Sequence, residues 1–87
     1  MPYITQEDRK KFKGQFGLKA FADLCSGPGD LNYLITRLLV HYIKKLGESY
    51  ATYNEVIGVL ECAKLELTRR QISEYEAKKM KLNGDVY

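Results

Sequence analysis

His41 is the single histidine of this chain, and it stands at helical spacing from Arg37 and Lys44 with no carboxylate three or four residues away. A general base needs a partner that orients it and a place within hydrogen-bond reach of the proton it takes. A solvated surface histidine is therefore the expectation. Glu55, Glu61 and Glu66 are the acids of the most apolar stretch. Glu61 interrupts the apolar run of residues 56–65 three positions before Lys64, the spacing of an exposed helical ion pair. Its sharper reading is a pair with Arg37, or with a base of another subunit inside an interface. A carboxylate metal site needs a pattern such as Glu-x-x-His, which is lacking. Cys25 and Cys62 have no CxxC spacing, so neither a zinc site nor a redox motif is indicated. Cys62 reads as a small buried hydrophobe within a helix. No nucleophile–base pair is present, and the expectation is no enzyme, no cofactor and no metal.

Three sets of residues suggest binding instead. Ser26-Gly27-Pro28-Gly29-Asp30 places pliable backbone before a helix start, where amides can cradle phosphate. It lacks the GxxxxGK[ST] and GxGxxG spacings, and Asp30 puts a negative charge where the anion would sit, so a plain interhelix turn is the reading. Tyr33, Tyr50, Tyr53 and Tyr75 form an aromatic set. With Arg69, Arg70 and Lys44 they could stack on and neutralise a nucleotide if oligomerisation gathers them. The plainer alternative is that these tyrosines fill a subunit interface, where a half-apolar side chain is at home. Arg9, Lys10, Lys11 and Lys13 are the densest basic cluster, directly behind Glu7 and Asp8. A weak nucleic-acid contact is their functional reading, and solubility with helix-dipole complementarity the bland one.

The elements that must carry these residues read as three helices. Thr5 caps the first, with Glu7 and Asp8 in its first turn. It runs to about residue 24 through Phe12, Phe16, Ala20 and Leu24, although Gly14 and Gly17 weaken its middle by up to ~1 kcal/mol each. Asp30 caps a second over residues 31–46 with the stripe Leu31, Leu34, Ile35, Leu38, Leu39, Tyr42 and Leu46, and Gly47 closes it. The third covers residues 50–82, capped by the box Thr52-Tyr53-Asn54-Glu55 or one turn earlier by Ser49. It holds no Pro and only Gly58, and would span roughly 50 Å. Val56, Leu60, Ala63 and Leu67 make its main stripe, which Ile57 and Val59 broaden beyond the needs of one neighbouring helix. Glu66 with Arg70 and Glu74 with Lys78 are spaced as ion pairs in its distal half. Asn83-Gly84 ends it.

Composition bounds the rest. Eighty-seven residues at 45% hydrophobic content fit one small domain, 1–87, whose modest core invites oligomerisation. The net charge of +3 comes from 14 basic and 11 acidic residues, interspersed in sign, so no strong nucleic-acid footprint stands out. No signal peptide is visible and no apolar run reaches the roughly 18 residues of a membrane span, so a cytoplasmic location without membrane contact is expected.

The runs Leu31-Asn32-Tyr33-Leu34-Ile35-Thr36 and Asn54-Glu55-Val56-Ile57-Gly58-Val59-Leu60-Glu61-Cys62-Ala63-Lys64-Leu65-Glu66, with Arg69-Arg70 and the ending Asn83-Gly84-Asp85-Val86-Tyr87, are distinctive together. With Met1-Pro2-Tyr3-Ile4 at the start, the chain resembles a family of small uncharacterised proteins found in tailed-phage and bacterial genomes. The resemblance implies no catalytic residues. It implies a phage-type protein that acts by binding host proteins, nucleic acid or nucleotide signals.

The expected fold is all-α: an antiparallel hairpin of helices two and three with an overlong C-terminal helix and the first helix packed across. Leu34, Ile35, Leu38, Leu39 and Tyr42 would be buried against Val56, Leu60, Ala63 and Leu67. The expected function is a homo-oligomeric helical interaction protein using Ile57, Val59, Leu65 and Tyr75 at its interface. A binder of small phosphorylated or nucleotide ligands at subunit junctions, through Arg69, Arg70, Lys44, Tyr33 and Tyr53, is the alternative.

Overall fold

Thr5 opens the first helix as its type predicts, its Oγ1 accepting the Asp8 N–H at 3.1 Å and so satisfying a donor that a helix start leaves unpaired. In the computed structural model, which describes residues 2–14 and 17–87, this helix α1 covers only Gln6–Arg9 and tightens into a 3₁₀ turn over Lys10–Phe12. Gly14 then has φ +108°, a left-handed conformation that a side chain would strain. At Gly17 a Cβ would run into the Phe12 carbonyl. The chain resumes as α2, Leu18–Leu24. The expected first helix is thus two, and the described residues form four helices rather than three, with no strand. Phe16, counted in the expected apolar spacing, lies outside the described residues.

Helix α3 spans Pro28–Leu46 and starts three residues earlier than expected. Pro28 suits the first position, where the missing N–H costs nothing. Asp30 lies inside the first turn and reaches back: its Oδ2 accepts the Ser26 N–H at 3.0 Å and the Ser26 hydroxyl at 2.8 Å. Gly47, at φ +93°, ends α3 with its N–H on the Ile43 carbonyl at 2.8 Å. Helix α4 follows over Tyr50–Leu67. Ser49 is its cap, the Thr52 N–H donating to Ser49 Oγ at 3.1 Å. The Thr52 hydroxyl meanwhile donates to the Gly47 carbonyl at 2.9 Å, which locks the turn. A π-helical turn, Thr68–Ile72, leads into α5, Ser73–Asn83, with no break in helical structure. Two hydroxyls bond to backbone carbonyls at that turn. Thr68 Oγ1 donates back to the Lys64 carbonyl at 2.8 Å, and Ser73 Oγ donates to the Thr68 carbonyl at 2.9 Å; such back-bonding bends helices. Gly84, at φ +89°, stops α5 with its N–H on Met80.

The chain divides into two compact units, Pro2–Val56 and Ile57–Tyr87. In the first, Tyr42 Oη at the end of α3 donates to Glu55 Oε2 near the start of α4 at 2.9 Å. Val56 is the one buried hydrophobic residue among those described, at 5% exposure. This corrects the expected core. Leu34 and Leu39 are half-buried, while Ile35, Leu38, Tyr42, Leu60, Ala63 and Leu67 are exposed. The second unit is a helix with a short tail, in which no residue is buried. Cys62, expected inside, is exposed for the same reason, and both thiols are free.

Candidate interaction surface

The second unit, a helix with a short tail, contains no other element to bury its apolar side chains and displays them. Ile57 is 63% exposed, Val59 53%, Leu65 55% and Tyr75 61%. All four expected interface residues are therefore accessible. At about 100° per residue, Ile57 and Val59 flank the Leu60–Ala63–Leu67 stripe on opposite sides, and Leu65 faces away from it. Glu61 pairs with Lys64 at 3.5 Å, as its spacing predicts, and Arg69 pairs with Glu66 at 2.8 Å. Glu74 and Lys78 form no ion pair among the described residues, against expectation. The tail folds beside α5, where Tyr75, Lys79 and Met80 with Val86 and Tyr87 line an open groove of about 390 Å³.

The first unit is equally short of cover. Between α2 and α3, Phe21, Leu24, Cys25, Tyr33 and Leu34 line a shallow hollow of about 190 Å³ with Asp30 at its edge. Asp30 is held below its ordinary value of 3.8 by the Ser26 N–H first and the Ser26 hydroxyl second. Tyr53 Oη donates to Glu48 Oε2 at 2.7 Å, and that bond to a carboxylate raises the phenol's pKa, as the Glu55 bond does for Tyr42.

The expected ligand residues are distributed between the two units. Lys44, Tyr33 and Tyr53 belong to Pro2–Val56, and Arg69 and Arg70 to Ile57–Tyr87. Tyr33 and Tyr53 line different hollows. Arg69 and Arg70 both lie in the π turn, which sequence reasoning missed. In the basic cluster, Arg9 Nε donates to the Ile4 carbonyl at 2.8 Å and Lys10 pairs with Glu7 at 2.9 Å. Lys11 sits over the Phe12 ring at 5.2 Å, and Lys13 follows the 3₁₀ turn. Two of the four cations are thus engaged locally by polar partners. His41 is exposed. No group of three or more His, Cys, Asp or Glu among the described residues could hold a metal ion, and no helix there is long and apolar enough to cross a membrane.

A family model described as a domain of unknown function (DUF6899) matches residues 1–86. No curated protein and no solved structure matches the chain.

Proposed function

The chain belongs to this family of unknown function, and since that membership brings no activity with it, we propose a non-enzymatic interaction protein that acts as a homo-oligomer through its helical surface. One observation carries the reading. Val56 is the only buried hydrophobic residue described, while Leu24, Leu38, Leu67 and Tyr75 stand 78%, 65%, 57% and 61% exposed. Apolar surface returns about 25 cal/mol for each Å² removed from water, and large exposed apolar areas mark association sites. A second copy is the nearest source of cover. On the phage-type resemblance, a host protein is the further partner.

Native mass spectrometry at low salt and tens of micromolar protein tests this. A mass of two or more chains is expected; a monomer alone overturns the reading. A second reading has its own support, because Arg69 and Arg70 lie in a π turn and such turns recur at functional sites. With Lys44, Tyr33 and Tyr53 they would hold small phosphorylated or nucleotide ligands at subunit junctions. A nucleotide-sized mass increment in the same spectrum, lost on Arg69→Ala with Arg70→Ala, would select it.

A further inference from the structure

Winding at about 100° per residue keeps Leu60, Ala63 and Leu67 within about 60° of one another on α4. Continued as plain α-helix, the same winding would carry Ile72, Tyr75 and Leu82 to a face centred about 100° away. The π turn Thr68–Ile72 accommodates one extra residue, and that residue returns everything beyond it by about 100°. Ile72, Tyr75 and Leu82 then prolong the Leu60–Ala63–Leu67 line as one seam. Its large side chains are open: Leu60 is 36% exposed, Leu67 57%, Ile72 43%, Tyr75 61% and Leu82 77%. Lys79 also falls on the seam, its Nζ over the Tyr75 ring at 5.6 Å, so its methylene stem adds apolar surface while the ammonium stays wet.

We infer that this seam pairs with the same seam of a second copy, the two helices running antiparallel. The inference rests on the oligomeric reading above. Charge selects the occupant and its direction. Residues 57–67 carry Glu61 and Glu66 against Lys64, and residues 69–83 carry Arg69, Arg70, Lys78, Lys79 and Lys81 against Glu74 and Glu76. An antiparallel second copy lays the basic half of each helix along the acidic half of the other. A parallel copy sets five bases beside five bases. Helix dipoles favour the same choice.

Leu67→Glu and Tyr75→Glu should each weaken the dimer at least about tenfold in sedimentation, whereas Leu65→Glu, facing away, should change it by less than about twofold. Circular dichroism checks that each variant keeps its helix. Deleting Gln71 converts the π turn to α-helix without rotating the distal half, so the dimer should persist. Inserting one Ala after Gln71 rotates that half out of line and should dissociate it. Zero-length cross-linking of mixed light and isotopically heavy chains should join Glu66 of one copy to Lys78 or Lys79 of the other. A monomeric wild type removes this inference together with the reading beneath it. An oligomer weakened equally by Leu65→Glu and Leu67→Glu, or dissociated by the Gln71 deletion, removes the seam alone. Cross-links between copies from Glu66 to Lys64 overturn the antiparallel direction.

Discussion

Asp30 and Ser49 decide where the two middle helices begin, and each makes a measurable contribution. Asp30 accepts two hydrogen bonds from Ser26, at 3.0 and 2.8 Å, and its carboxyl is held below the ordinary 3.8. A folded value lower than the unfolded one means that the ionised form favours the fold. The contribution is complete above the unfolded value and is lost as pH falls through the folded one. Asp30→Asn should therefore lower the urea midpoint near neutral pH, and the gap to wild type should close as pH falls through the folded value. A gap of unchanged size in acid would mean that the bonds to Ser26 do not depend on the charge. Ser49 acts through its hydroxyl, which takes the Thr52 N–H at 3.1 Å. Its replacement by Ala should cost about 1 kcal/mol in the same titration, and a loss below a few tenths would show that Thr52 can cap in its stead.

Among the elements, Gly58 is a glycine that the fold does not require. It lies within α4, its φ is not positive, and a Cβ there would meet nothing within 4 Å. Gly58→Ala should raise stability by up to about 1 kcal/mol and leave the oligomer intact, because position 58 faces away from the Leu60–Leu67 line. A variant that dissociates would place an interface on the opposite side of the helix. The contrast with Gly14 and Gly17 shows what spacing can reveal. Thr5, Gly47 and Asn83-Gly84 announced their helix ends through chemistry local to one turn, and Glu61 announced its pair with Lys64. The break after Phe12 was half legible: Gly14 and Gly17 marked where the first helix could kink, while Phe12, Phe16 and Leu24 keep a helical period straight across it. The φ of +108° at Gly14 and the crowding at Gly17 show that the chain does turn there. The π turn had a trace in the sequence, a five-residue step from Leu67 to Ile72 where three or four would continue the stripe. Falling apolar density hid it, and so in the distal half only Tyr75 was read as an interface residue. Of the candidate surface, the open Ile57 and Val59 were legible as surplus apolar width, but the face that Tyr75 occupies depends on that turn.

For the molecule as a whole, the scarcity of buried apolar side chains, with Val56 the one buried hydrophobic among the described residues, sets the terms of stability. Ordering a residue's backbone costs roughly 1–2 kcal/mol of conformational entropy, and a chain of this length offsets that chiefly by removing apolar surface from water. The side chains that the sequence marked as core, Ile35, Leu38, Leu60 and Leu67 among them, stay partly exposed in the single chain, so they lend their full stability only once a second surface covers them. If association supplies that cover, unfolding and dissociation are one event, and the folded state gains from mass action. A tenfold rise in concentration then adds about 1.4 kcal/mol per dimer. For an assembly of two such chains, that corresponds to a rise in Tm of about 3–6 °C. Calorimetry across about two decades of concentration measures it directly. The charged substitutions Leu67→Glu and Tyr75→Glu should both lower Tm and abolish its concentration dependence, because they remove the contact rather than the helix. A Tm that stays constant over that range in the wild type would mean that the single chain finds its stability alone, and that the exposed stripes serve a partner other than itself.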